Sequence, residues 1–271
     1  MDDIFVLKFG GNAISGREDM MRLSGEIAEL IRDGAKIVLV HGGGPEISAE
    51  MERRGMTPTK IGGVRVTDEA ALEVATDVLR RLNGEVVGCL GAASVQAIGA
   101  PGYLFTVCRR KPPYTVMESG KEVTADLGLV GEVVDVNAES ILDLLEEGVT
   151  PVIYPIGKDA DGTVLNVNAD TMASGIAAGI KCREMITITD VPGILTDIKD
   201  PLSKIDRIDL KGVDELIASG VISGGMIPKV EACRNALNAG VETVRMVSGK
   251  DKRSIVTDIM KDVPHGTIIV K

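Results

Sequence analysis

Two stretches decide the fold: Ile4-Phe-Val-Leu-Lys-Phe-Gly-Gly11 and Lys36-Ile-Val-Leu-Val-His-Gly-Gly-Gly-Pro45. Each is a short apolar run, long enough for a buried strand and too short for a core helix, and each stops at glycines that permit a tight turn. Between them, residues 18–33 place Met21, Ile27, Leu30 and Ile31 at helical spacing, and helical periodicity resumes after Pro45 through about Arg54. Strand, glycine turn and helix therefore alternate from the start. Further helices are expected over 68–81 and 83–98, a strand over 102–107, and a loop or hairpin up to about 130. A strand over 131–136, a helix over 138–147 and a strand over 149–154 come next. A hairpin near Asp161-Gly162 leads to Asn168, which caps a helix to about Ile180. Strand 185–189, helices 211–219 and 227–239, strand 242–247, helix 251–260 and strand 267–270 complete the pattern. Such alternation predicts an α/β three-layer sandwich, with an open, largely parallel sheet covered by helices on both faces. The composition does not shift along the chain, so a single domain is expected, with a nominal lobe boundary at 183/184.

The bulk properties narrow the partners. The 271 residues are 44% hydrophobic and carry a net charge of −10, with Lys and Arg scattered rather than gathered in a stripe, which disfavours nucleic acid. The basic run Arg109-Arg110-Lys111 reads as a solvated loop. Four cysteines stand far apart with no CxxC pair, which suggests neither a disulfide framework nor a zinc site. The start of the chain is acidic and its apolar run short, unlike a signal peptide or membrane span, and a cytoplasmic protein is expected. With only His41 and His265, chemistry must rest on Lys, Arg, Asp, Asn and backbone amides.

In a parallel α/β sheet, ligands bind beyond the carboxyl ends of the strands, where Gly10-Gly11 and Gly42-Gly43-Gly44 are expected to lie. Consecutive N–H groups with a helix dipole behind them make an anion cradle, although either cluster alone is equally a tight turn. Neither supplies the spacing of a Walker loop or a dinucleotide fingerprint. Lys8 interrupts an otherwise apolar strand two residues before the glycines, a costly place unless its ammonium reaches a ligand. Lys229 stands in a third glycine turn, Ser223-Gly-Gly-Met-Ile-Pro-Lys229, and is placed to present a second cation. Asp170 is suited to orient lysines, and Arg65 to clamp a carboxylate.

These segments, taken in order, resemble the acetylglutamate kinases of the amino-acid kinase family along the whole chain. The motifs are Val6-Leu-Lys-Phe-Gly-Gly11, Val40-His-Gly-Gly-Gly-Pro45, Gly63-Val-Arg-Val-Thr-Asp68, Leu165-Asn-Val-Asn-Ala-Asp170, Thr189-Asp-Val-Pro-Gly-Ile-Leu195 and Ile222-Ser-Gly-Gly-Met-Ile-Pro-Lys-Val230. The resemblance implies the amino-acid kinase fold, with an N-terminal substrate lobe (about 1–183) and a C-terminal ATP lobe (about 184–271). It implies that Gly43, Gly44, Arg65 and Asn166 hold an acetylated amino acid, and that Lys8 and Lys229 neutralise the phosphoryl group while Asp170 holds both lysines. It places ATP at Gly10, Gly11, Asp190, Gly193, Ile194, Leu195, Gly224, Gly225 and Met226, with Mg²⁺ held mainly by phosphates and water and by no dedicated protein ligand. The implied reaction phosphorylates the side-chain carboxylate of N-acetyl-L-glutamate, in arginine biosynthesis. Only three residues precede the first strand, where arginine-inhibited relatives carry an extra helix, so a homodimer without arginine feedback is expected. Residues 108–129 carry no family signature. Two readings compete: a kinase for α-aminoadipate on a carrier protein, for which 109–111 offers a basic surface, and a non-catalytic amino-acid-binding regulator.

Overall fold

The computed structural model describes residues 3–10, 13–14, 16–118, 121–197, 199–250 and 265–271; the expected helix 251–260 and Gly11 lie outside them. The chain runs β1 (Ile4–Phe9), α1 (Arg17–Arg32), β2 (Lys36–His41), α2 (Gly44–Arg53), β3 (Lys60–Ile61), β4 (Val64–Arg65), α3 (Glu69–Ala92), β5 (Ala97–Pro101), β6 (Thr106–Arg110), β7 (Tyr114–Glu118), β8 (Lys121–Ala125) and β9 (Val130–Val136). It continues with α4 (Ala138–Glu146), β10 (Thr150–Tyr154), β11 (Ile156–Lys158), β12 (Val164–Val167), α5 (Ala169–Gly179), β13 (Glu184–Thr189), β14 (Arg207–Asp209), α6 (Leu210–Ala218), α7 (Met226–Asn238), β15 (Thr243–Ser248) and β16 (Thr267–Val270).

The central sheet has eight strands in the order β14-β16-β15-β13-β1-β2-β10-β5 and is unbroken across the 183/184 boundary. Six strands, β15 through β5, are mutually parallel, and β16 turns antiparallel against β15. Alternation along β1 sorts its residues by face. Ile4 and Val6 join a core with α4, α5 and α7, whereas Phe5, Leu7 and Phe9 join another with α1 and the C-terminal half of α3. Lys8 falls in the register of Ile4 and Val6, the face that carries α5.

A second sheet, β11-β12-β9-β6, packs across α5. The approach is close because α5 is built from small residues. A Cβ added at Gly175 would sit 2.8 Å from Val133 Cγ1, and one at Gly179 would sit 2.5 Å from Val136 Cβ. Asn168 caps α5, its side-chain oxygen accepting from the amides of Asp170 (2.8 Å) and Thr171 (3.3 Å).

Two expectations need correction. Residues 68–98 form one helix and a strand rather than two helices. The Asn83-Gly84 pair does not break α3, because the buried Asn83 side chain donates to Val152 O (2.9 Å) and to His41 Nε2 (3.1 Å) and so ties the helix to the sheet. The helix ends before Ser94, which takes φ 64°, and β5 follows. The strand expected at 102–107 therefore lies earlier, at 97–101, and again at 106–110, with a single 3₁₀ turn at Gly102–Leu104 between. The expected hairpin before residue 130 is present as β7–β8, paired from Tyr114↔Ala125 to Glu118↔Lys121.

His41 donates from Nδ1 to Gly42 O (3.0 Å) and accepts Asn83 at Nε2, an arrangement that one neutral tautomer satisfies. Burial lowers its pKa from 6.5 to about 4, the Gly42 bond opposing. The folded state thus binds the proton more weakly than the unfolded chain. The resulting stability is full above pH 6.5 and is lost as pH falls toward 4, in all about 3 kcal/mol. Urea midpoints of the wild type are expected to fall through this window, and a His41→Gln variant to lose that part of the slope; equal slopes would contradict the assignment.

Candidate active site

Strand β1 lies between β2 and β13, so the loops leaving its carboxyl end diverge, and an open cleft of about 350 Å³ lies beyond. Gly10, Gly42, Gly43 and Gly44 form its floor, the β3–β4 hairpin and β12 one wall, and Asp170, Asp190 and Lys229 the other. Of the residues expected from the sequence, Lys8, Lys229, Asp170, Gly43, Gly44, Arg65, Asn166, Gly10 and Asp190 meet here.

Proximity restricts Gly10 and Gly43. A Cβ on Gly10 would come within 3.0 Å of Gly42 N and Cα, and one on Gly43 within 2.7 Å of Leu82 Cδ1. An added Cβ on Gly44 would meet nothing within 4 Å. The amides of Gly43 and Gly44, at the start of α2, have no acceptor among the described residues. They are N–H groups available to an anion.

Lys8 is 6% exposed and pairs with Asp170 at 2.7 Å. Lys229 donates to Thr189 Oγ1 (3.1 Å) and lies 3.8 Å from Asp190. The expectation that Asp170 holds both lysines is therefore corrected: each lysine has its own aspartate, one on α5 and one after β13. Burial works to raise the Asp190 carboxyl, but its own amide, Lys229 and the Thr189 hydroxyl outweigh it and hold the group below its ordinary value. Two cations thus line one space, an arrangement suited to an oxyanion in transit.

Arg65 is 6% exposed yet has no carboxylate partner among the described residues. Its Nη2 donates to Gly44 O (2.9 Å) and Ser48 Oγ (2.8 Å), its Nη1 to Met51 Sδ (3.2 Å), and burial pulls its pKa down. A guanidinium held by neutral groups at a cleft wall is a site for an external carboxylate. Thr67 joins β4 to β12 within this wall, donating to Arg65 O (3.1 Å) and accepting from Asn166 Nδ2 (3.1 Å). Leu127–Leu129 pin both: Thr67 N donates to Leu127 O, Leu129 N to Thr67 O, and Asn166 N to Leu129 O. The end of the unassigned 108–129 segment thus secures the substrate wall. Ser48, Thr67 and Thr189 were not singled out in the sequence; Thr67 and Thr189 stand inside motifs already quoted, whereas nothing marks Ser48.

The remaining described ATP residues are not among those that line this cleft. Ile194 has its side chain sealed in the core, and Thr267 Oγ1 accepts its amide proton at 2.8 Å. Gly193 takes φ 143°, and a Cβ there would lie 2.4 Å from Thr267 Oγ1, so glycine is favoured on both counts. Leu195 is half-buried, and Gly224, Gly225 and Met226 form the turn into α7, the glycines exposed. Burial pushes the thiols of Cys182 and Cys233 up to about 12, which removes them as nucleophiles. Arg109 pairs with Glu132 (2.6 Å) and Arg110 with Asp126 (3.4 Å), so these two charges are met within the chain.

Removing one partner of a buried pair strands the other charge. Asp170→Asn is expected to destabilise the fold by about 3 kcal/mol in urea unfolding, and Lys8→Met/Asp170→Asn to recover most of that loss. Equal stability of the single and double variants would refute the dependence.

Residues 3–248 match the model of the amino acid kinase family. The chain is 40% identical to an acetylglutamate kinase of Methanococcus aeolicus over 100% of its length and 92% of the relative's. It is 39% identical to that of Methanosarcina acetivorans, over 99% and 91%. Among solved structures, the carbamate kinase of Giardia lamblia bound to AMP-PNP shares the fold at a TM-score of 0.71 and 17% identity, covering 100% of this chain and 99% of that one. The three-layer sandwich, the paired lysines at the glycine turns and these relatives agree: the chain belongs to the amino acid kinase family, within the branch of the acetylglutamate kinases.

Proposed function

We propose that the chain transfers the γ-phosphoryl group of ATP to the side-chain carboxylate of N-acetyl-L-glutamate, forming N-acetylglutamyl 5-phosphate and ADP. The observation that carries this reading is Arg65, a buried guanidinium without an acidic partner, in the same cleft as Lys8 and Lys229. Arg65 and Asn166 take the acetylated amino acid by its α-carboxylate and amide, and Gly43 and Gly44 direct their amides at the reacting end.

A carboxylate nucleophile is ionised at neutral pH, so no general base is needed, and the catalytic demand is positioning and charge neutralisation. Lys8 and Lys229 supply the charge, with Asp170 beside the first and Asp190 beside the second. Mg²⁺ enters with the nucleotide. Asp170 is committed to Lys8, and the ion is held mainly by phosphate oxygens and water.

The adenine end of ATP belongs against the Asp190–Leu195 loop and the Gly224–Met226 turn, in a C-terminal lobe (about 184–271) that closes on the substrate lobe (about 1–183). The setting is a homodimer in the cytoplasm, acting in arginine biosynthesis. Among the described residues no helix is long and apolar enough to cross a membrane. Pairing of Arg109 and Arg110 within the chain weighs against a basic carrier-docking surface. Two cations at one phosphoryl position weigh against a binder without catalysis.

Acyl phosphate trapped as the hydroxamate tests the reading. With ATP and Mg²⁺, N-acetylglutamate is expected to outpace free glutamate and N-acetyl-α-aminoadipate strongly; silence on all three would overturn the assignment. Lys8→Ala is expected to lower kcat about 100-fold or more with little change in the KM for acetylglutamate, and Arg65→Ala mainly to raise that KM, about tenfold or more. The opposite pattern would exchange their roles.

A further inference from the structure

Lys60 stands in the β3–β4 hairpin directly opposite Arg65, in the register Lys60↔Arg65 and Ile61↔Val64. Directly paired residues of an antiparallel ladder project from the same face, and both side chains line the cleft. The turn between them is a two-glycine turn: Gly62 and Gly63 take φ 56° and 81°, values that other residues adopt only with strain. Its tip rests near α7, where an ideal Cβ on Gly63 would lie 3.5 Å from Pro228 Cγ. Lys60 is exposed at the mouth of the cleft and has no acidic partner among the described residues. In a chain of net charge −10, an unpaired lysine on this rim faces an acceptor that carries two carboxylates.

The state of Arg65 gives that lysine a task. Both terminal amino groups of the guanidinium are engaged, Nη2 by Gly44 O and Ser48 Oγ and Nη1 by Met51 Sδ. The fork that would otherwise bind a carboxylate with two parallel N–H bonds is partly spent on holding the arginine in place. A carboxylate arriving there needs a second donor, and the hairpin presents one on the same face.

We propose that Lys60 and Arg65 form a two-cation clamp on the acceptor's non-reacting carboxylate, with Arg65 as the fixed inner contact and Lys60 as the outer one that closes over it. The clamp rests on the acetylglutamate reading above, with the α-carboxylate as its ligand.

A chemical double-mutant cycle tests it. Calorimetric titration of the whole chain compares N-acetyl-L-glutamate with its α-carboxamide, in the wild type, Lys60→Met and Lys60→Arg. Lys60→Met is expected to weaken acetylglutamate binding about tenfold, the size of one charge-assisted hydrogen bond, and to leave the carboxamide unchanged. Lys60→Arg is expected to restore binding to within about twofold of wild type. Equal losses on both ligands, or no loss on either, would overturn the clamp while the function stands. A wild type that binds no acetylglutamate would overturn the functional reading and the clamp with it. Lys60 is exposed, so unfolding is not expected to obscure the result, and an unchanged thermal midpoint checks that.

Discussion

The ion pair between Lys8 and Asp170 constrains the rest of the molecule. An ammonium on a strand whose other residues are all buried apolar groups costs several kcal/mol unless it is paired. Its partner therefore has to reach the carboxyl end of β1 on the correct face, and the first turn of α5 is what reaches. Bringing α5 that close requires the small residues along it, since Gly175 and Gly179 leave no room for a methyl group against β9. The second sheet, the cap at Asn168 and the register that turns Lys8 toward α5 all follow from meeting one charge. The same burial that makes the pair expensive keeps the lysine fixed where a phosphoryl group must pass.

The opposite wall is built by hydrogen bonds rather than by charge. Thr67 joins the strand of Arg65 to the strand of Asn166, and the Leu127–Leu129 segment holds both. A Cβ on Gly128 would lie 2.3 Å from Thr67 O, so only glycine allows the two strands to meet. Specific recognition of a small dianion depends on such preorganisation, because a displacement of about 1 Å at a reacting carboxylate costs on the order of 100-fold in rate. The neutral acceptors around Arg65 serve the same end: they fix the guanidinium without neutralising it.

Much of this was legible in the sequence because the signals are local. The six buried residues of β1 leave no reading but a core strand, and Lys8 within them declares a site. The Asn168 cap and the glycine turns are equally local. Legibility fails where tertiary contacts decide. Residues 68–81 and 83–98 read as two helices, yet Val152 and His41 take up the Asn83 side chain and one helix continues to Ala92. Strand β14 has three residues, too few for periodicity, and depends on pairing with β16. The motif around Asp190 is visible, but which of its side chains face the cleft is not, and Ile194 turns into the core. One aspartate for each lysine is likewise a fact of three-dimensional distance: residues 170 and 190 are about equally suited in sequence, and only the fold assigns them.

The most direct test is a crystal structure of the chain with ADP, Mg²⁺, N-acetylglutamate and aluminium fluoride as the phosphoryl mimic. The account predicts Lys8 Nζ and Lys229 Nζ both within hydrogen-bond reach of the fluorides, with Asp170 and Asp190 still beside them. A complex in which either lysine stays turned away from the mimic, or in which the mimic lies outside the glycine-floored cleft, would contradict it.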